Sequence, residues 1–265
     1  MDNTFLTKLF LSFIVGGFWV TFTTIIAGRY GSKIGGWIGG LPTTTLIALL
    51  FIGITQSPKA AVDATNVIPQ IIGFAGIMMV VFSYLINRGF FIAFSLAILS
   101  WFILTGIVFS LKIENFNISL IISLLSLLFS YYFLEKKQKI FSVTKQKINY
   151  TSSQILIRAG FAGLVIASAV SAARFGGPIL GGIFSAFPAF FISTLFIVYF
   201  SHGIEFTKAI IKSLTLSGLF NVLIYVIAVR YFYPSFGLFW GTLIAYGITI
   251  MSVALSYKLF SKRIS

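Results

Sequence analysis

Charge is what this chain has least of. Only 9% of its 265 residues are charged, and just five of those are carboxylates: Asp2, Asp63, Glu114, Glu135 and Glu205. A soluble domain carries about a quarter charged residues, so an ordinary soluble fold is excluded. Cysteine is absent, which excludes disulfides, thiolate metal sites and cysteine nucleophiles and leaves the redox compartment open. With a single histidine, His202, and no paired carboxylates, metal or nucleophilic catalysis has no visible apparatus. No enzymatic activity, metal or cofactor is expected. No glycine-rich phosphate-binding spacing occurs, which excludes an ATP-driven pump within the chain.

What is present is hydrocarbon. Hydrophobic residues make up 58% of the chain and aromatics 17%, with a mean hydropathy of +1.03. The net charge of +14 fits lysine and arginine held on cytoplasmic loops better than a nucleic-acid partner, which is not expected. The opening MDNTFLTKLF has no basic n-region and reads as a retained first span. Nine apolar segments, at 9–27, 34–54, 68–86, 90–111, 118–134, 155–172, 179–200, 209–228 and 236–257, are each long enough for a hydrocarbon core of roughly 30 Å. The one long polar stretch, 135–154, is basic and divides the chain.

The two halves carry a common motif. GGWIGGLPTTTLIALLF at 35–51 is nearly repeated by GGIFSAFPAFFISTLFI at 181–197, with Pro42 and Pro188 at the eighth position, 146 residues apart. Each proline removes a backbone donor and clashes with the carbonyl four residues back, that of Ile38 or Phe184. Lipid cannot satisfy that carbonyl, so a polar partner inside the protein is expected. Two kinked helices would also read this way, since proline and glycine are frequent in membrane spans. Paired Gly/Pro interruptions in two halves are nevertheless the best sequence pointer to a transporter's binding site. Further features recur in order: Arg29 and Arg174 before the motif, Gly16–Gly17 and Ala162–Gly163 in the preceding span, and Ser57–Pro58 and His202–Gly203 after it. Arg88 and Arg230 close the next span in each half.

These observations predict an all-α polytopic membrane protein of about nine transmembrane helices. Residues 1–112 form a first four-helix repeat, 113–154 a linking helix with a basic cytoplasmic loop, and 155–265 a second four-helix repeat. Because four crossings plus one flip the chain, the repeats are expected to be inverted about an axis in the membrane plane. The four serines of the linking segment, Ser119, Ser123, Ser126 and Ser130, weaken it as a span. With nine spans, Lys8, Lys59, Lys112, Arg174 and Arg230 share one side and the other fourteen lysines and arginines the opposite one. The positive-inside rule then puts the N-terminus outside and the C-terminus in the cytoplasm of a cell-membrane protein. The first four spans alone are balanced, so charge counting does not establish the inversion.

Candidate solute-binding residues cluster at the motif: Pro42, Thr43, Thr44, Thr45, Pro188, Phe191, Ser193 and Thr194. The first copy supplies hydroxyls and the second aromatics, a pairing that suits a small amphiphilic or anionic solute. Gly35, Gly36, Gly39, Gly40, Gly181 and Gly182 lie at spacings that let helix backbones approach, and are expected to serve helix packing. Arg29, Arg88, Arg174 and Arg230, with Asp63 and Glu205, are candidate mouth charges, although an arginine at a span end is more often a snorkelling anchor. Ionisable groups within the spans are expected to be almost absent. Gln70 and Asn221 are the most polar groups at depth and read as interhelical bonds.

The run of glycines, then proline, then a long apolar span resembles the small GlpM-type membrane proteins of unassigned function, here as two fused units. The layout is also similar to fused dual-topology families such as fluoride channels and relatives of drug/metabolite transporters, but the fluoride-channel signatures are missing. The leading expectation is a transporter or permease alternating about a midplane site between the two Gly–Pro helices. Its partners would be the bilayer, a small solute and a second copy of the chain. A non-transporting scaffold and a lipid scramblase are the alternatives.

Overall fold

The computed structural model describes residues 3–29, 31–140 and 150–261. Asp2, the linker residues Lys145 and Lys147, and the terminal Lys262 and Arg263 lie outside them. Among the described residues the chain is helix and short connection, with no strand. In order the helices are α1 (Asn3–Arg29), α2 (Gly31–Gly39), α3 (Thr43–Thr55), α4 (Pro58–Ala64), α5 (Ile68–Leu85), α6 (Phe90–Ser110), α7 (Phe116–Tyr131), α8 (Ser152–Gly176), α9 (Pro178–Ser185) and α10 (Ala189–Ser261).

Among the described residues seven helical stretches are long and apolar enough to cross a bilayer, as in a multi-pass helical membrane protein. The last stretch, Pro178–Leu255, contains 78 residues, roughly 117 Å if straight at 1.5 Å per residue. No bilayer is that thick. α10 leaves helical geometry at Gly203 (φ 78°) and Gly237 (φ 72°), a left-handed backbone that residues with a Cβ rarely adopt. Those two bends fall beside the edges expected between 179–200, 209–228 and 236–257.

The serines of α7 do not weaken it. Ser119, Ser123, Ser126 and Ser130 form one buried stripe, while Ile121, Leu124, Leu125 and Leu128 face outward. The stripe lies against α5, where a Cβ on Gly73 would meet Ser126 Oγ at 3.0 Å and one on Gly76 would meet Ser130 Oγ at 3.0 Å. Small groups on both sides let the two backbones close up. A π-turn, Tyr132–Lys137, extends α7 into a stretch of 22 residues.

α1 and α8 are the most intimate pair. The ring of Phe5 meets that of Phe175 at 6.0 Å, whereas Gly17, twelve residues further along α1, packs on Ala159 near the start of α8. The two helices therefore run antiparallel. Their contact is reciprocal: a Cβ on Gly17 would lie 3.0 Å from the Ala159 carbonyl oxygen, and one on Gly163 would lie 2.7 Å from that of Phe13. Adding 146 converts Gly17 into Gly163 and Phe13 into Ala159. The neighbouring seams repeat the shift. Gly35 packs on Ala27 and Gly181 on Ala173; Gly36 packs on Ser213 and Gly182 on Val67.

At Gly17, Gly35 and Gly163 the nearest atom is a backbone carbonyl oxygen, which cannot swing aside. Gly163→Leu should lower stability by about 1–3 kcal/mol, the usual cost of overpacking. Gly160→Leu, where a Cβ has nothing within 4 Å, should stay within about 0.5 kcal/mol of the parent. Unfolding of the purified protein in detergent, followed by tryptophan fluorescence, compares the two.

Candidate solute site at the paired helix breaks

Pro42 and Pro188 each stop one helix and start the next, through the same hydrogen bonds. At the first break the Leu41 N–H donates to the Ile38 carbonyl (3.1 Å), Thr43 N–H to Leu41 (2.8 Å) and Leu46 N–H to Pro42 (2.7 Å). At the second, Phe187 N–H donates to Phe184 (3.2 Å), Ala189 N–H to Phe187 (2.7 Å) and Ile192 N–H to Pro188 (2.9 Å). The carbonyls of Ile38 and Phe184 are thus satisfied by a tightened backbone turn, not by the side-chain partner expected from sequence. Hydroxyls serve neighbouring carbonyls instead. Ser217 Oγ donates to the Trp37 carbonyl at 2.8 Å, and Thr45 Oγ1 to the Ser185 carbonyl at 3.1 Å. The second bond joins one break to the other.

Between the breaks lies a cavity of about 30 Å³, walled by 39–45 on one side and by Ala186, Phe187, Pro188, Phe190 and Phe191 on the other. A buried water needs roughly 10–15 Å³ on this measure, so the space admits one or two waters. Six candidates line it: Pro42, Thr43, Thr44, Thr45, Pro188 and Phe191. Ser193 and Thr194 do not; one turn further along α10, Ser193 faces an outer groove and Thr194 bonds to Arg158. Thr45 is occupied by Ser185, while the hydroxyls of Thr43 and Thr44 have no hydrogen bond among the described residues. No side chain caps the start of α3, so the N–H groups of Thr44 and Thr45 add further donors beside the cavity.

The six packing glycines each meet another part of this chain: Gly35 the Ala27 carbonyl, Gly36 Ser213, Gly39 Phe190, Gly40 Ser217, Gly181 Ala173 and Gly182 the Ala64 carbonyl. The candidate mouth charges are not brought together at the cavity. Arg29, Arg88, Arg174 and Glu205 are exposed, and Asp63 is half-buried in α4. Arg230 is tied down, donating to Asn66 Oδ1 at 2.7 Å and Thr65 Oγ1 at 3.2 Å above the Phe116 ring. Asn221 Oδ1 accepts from Ser252 (3.0 Å) across the bend in α10, whereas Gln70 Nε2 donates to the Ile113 carbonyl (2.8 Å) in the connection between α6 and α7 and not to a helix.

The expectation that the spans hold almost no ionisable groups is corrected by two cations. Arg158, in the sixth expected span, is 2% exposed, and Lys212, in the eighth, 3%. Lys212 Nζ contacts Glu135 Oε2 at 2.5 Å and donates to the Ile140 carbonyl at 2.7 Å, so Glu135 is its ion-pair partner. Arg158 Nη2 donates to Thr194 Oγ1 at 2.8 Å, and the guanidinium lies 3.9 Å from the centre of the Phe190 ring. Its Nε and Nη1 have no hydrogen-bond partner among the described residues. The signal was a charge inside an apolar run, which marks function by default. Both residues sit close enough to a span end to pass as anchors.

Fold and site define a multi-pass helical membrane protein with two facing helix breaks around a small cavity. The chain is similar over residues 9–114 to a family described as "Protein of unknown function (DUF3147)". That match supports an uncharacterised family and lends no weight to the GlpM-type resemblance. No curated protein and no solved structure matches the chain.

Removing one member of a buried ion pair leaves the other uncompensated. Lys212→Met should therefore destabilise the protein by about 3–5 kcal/mol, and adding Glu135→Leu should restore much of that loss. Detergent unfolding of the single and double variants measures both.

Proposed function

We propose that this chain is a membrane transporter that alternates about the cavity between the Pro42 and Pro188 breaks. One observation carries the reading: two interrupted helices from different halves meet face to face, with free donors between them and no protein group filling the space. Discontinuous helices around a central site are how many secondary transporters hold solute at mid-membrane. Breaks bonded locally, by a few backbone turns, can also flex without exposing unsatisfied groups to lipid.

The cavity's size favours a small solute in this closed state. Two free hydroxyls and the N–H groups at the head of α3 suit an anion or a polar neutral group, because helix N-termini carry partial positive charge. An amphiphilic solute would require the Phe187, Phe190 and Phe191 side to move.

The repeat architecture belongs to the same proposal. Two four-helix units, 1–112 and 155–265, are related by a half-turn about an axis in the membrane plane, and α7 is the linking helix. Support comes from the antiparallel α1–α8 contact, its reciprocity at 146 residues and the matching bonds at the breaks. In this arrangement the N-terminus is outside and the basic linker and C-terminus are cytoplasmic. The likeness to GlpM-type proteins rests on this repeat. Use as a scaffold through the motif glycines is disfavoured, because each of them packs against another part of this chain.

Single cysteines test the topology cleanly in a chain that has none. Asn115→Cys should be labelled by a membrane-impermeant maleimide on intact cells, and Asn87→Cys only after lysis; the reverse or equal labelling overturns the inversion. For transport, a thermal-shift screen of the purified protein identifies the solute, whose flux is followed in proteoliposomes. Pro42→Ala and Pro188→Ala should each cut flux at least tenfold while the protein still assembles, and Thr43→Val with Thr44→Val should raise KM. Unchanged flux in these variants rejects the site. Failed assembly in the proline variants, with no flux from the parent, favours the scaffold.

A further inference from the structure

We propose that Arg158 and the groove beside it bind an anionic phospholipid taken laterally from the bilayer, with the phosphate on the guanidinium and an acyl chain along the groove. This inference is independent of the transport reading.

A cation removed from water needs a counter-charge or a full set of acceptors. Arg158 has neither. Its Nη2 uses Thr194 and, more weakly, the Phe190 carbonyl at 3.4 Å, and the Phe190 and Tyr150 rings lie 3.9 and 5.9 Å from the guanidinium. Neutral Tyr150 supplies no counter-charge, and Nε and Nη1 have no hydrogen-bond partner among the described residues. Glu135 is held by Lys212 and Glu205 by Lys208. Glu114 lies at the opposite end of the bundle, beside the start of α7. No described carboxylate pairs with Arg158. A phosphate supplies the missing acceptors in the bidentate geometry that guanidinium favours.

Arg158 forms part of the wall of a groove of about 380 Å³ between α8 and α10. The rest of the wall is mainly apolar, Ile157, Phe161, Ile192, Phe196, Ile197 and Phe200, with Gln154 and Ser193 as its two other polar members. Such a groove suits a hydrocarbon chain and not a hydrated ion. Its rim residues Ile157 and Phe200 are 72% and 62% exposed, on helices apolar enough to face hydrocarbon. The groove therefore opens to lipid, and its occupant arrives from the membrane.

Depth agrees with this source. Arg158 lies six residues into α8, roughly 9 Å along the axis, near the boundary between hydrocarbon and headgroups. Lysines at this end enrich anionic lipids: Lys136, Lys137 and Lys139 follow α7, and Lys208 begins the middle section of α10. Those lysines attract the lipid class; Arg158 holds one molecule. Because Nε and Nη1 are buried, binding the phosphate requires the guanidinium to turn toward the groove.

The test uses full-length protein, stripped of lipid in maltoside detergent and titrated with dioleoyl phosphatidylglycerol. Native mass spectrometry counts bound lipid and scanning fluorimetry follows stability. One phosphatidylglycerol per chain should bind at least tenfold more tightly than the rest, and tenfold more tightly than dioleoyl phosphatidylcholine. Arg158→Gln should weaken that binding at least tenfold, Arg158→Lys less, and Lys136→Gln with Lys137→Gln less than threefold. Ile197→Trp narrows the groove without touching the guanidinium and should also weaken binding, which keeps the test decisive if Arg158→Gln does not fold. Unchanged affinity in folded Arg158→Gln, or in Ile197→Trp, overturns the proposal. So does equal protection by inorganic phosphate, which would make the occupant a soluble anion.

Discussion

Every backbone N–H and C=O that enters hydrocarbon must be bonded within the protein, and the rest of this structure depends on that constraint. A proline in mid-span breaks the pattern of helical bonds. Here the break is closed by a tighter turn of the chain itself, in the same way at Pro42 and Pro188. Side chains are thereby released from repair. Ser217 and Thr45 go to neighbouring carbonyls, and Thr43 and Thr44 remain free to face the cavity between the breaks. Glycine does the complementary work, since the breaks come together only because Gly36, Gly40 and Gly182 let the helices that carry them close on their neighbours.

Much of this was legible in the sequence because it depends on length and spacing. The apolar runs set the helices, and a shift of 146 residues aligned pairs such as Gly17 and Gly163 that pack reciprocally. Glycines at positive φ in α10 fall beside expected edges. The serines of α7 misled, because composition alone counts them as polar although their spacing puts all four on one face against Gly73 and Gly76.

What was not legible depends on direction. Arg158 and Lys212 lie within a few residues of span ends, where a long cationic side chain ordinarily reaches for water. Whether it turns outward or inward is decided by partners from distant sequence: Thr194 and Phe190 for one, Glu135 and Ile140 for the other. The size of the central cavity was equally hidden, since the Phe187, Phe190 and Phe191 rings fill space that the motif alone leaves open.

The two breaks have the same backbone and unlike side chains, Thr43–Thr44–Thr45 in one and Ala189, Phe190 and Phe191 in the other. A half-turn that exchanges the backbones would put hydroxyls where rings had been. For a carrier of this design the inward-open and outward-open forms are consequently not mirror images in energy. One would expose aromatic surface at its entrance and the other polar surface, so such a carrier would rest toward one side of the membrane even without a gradient.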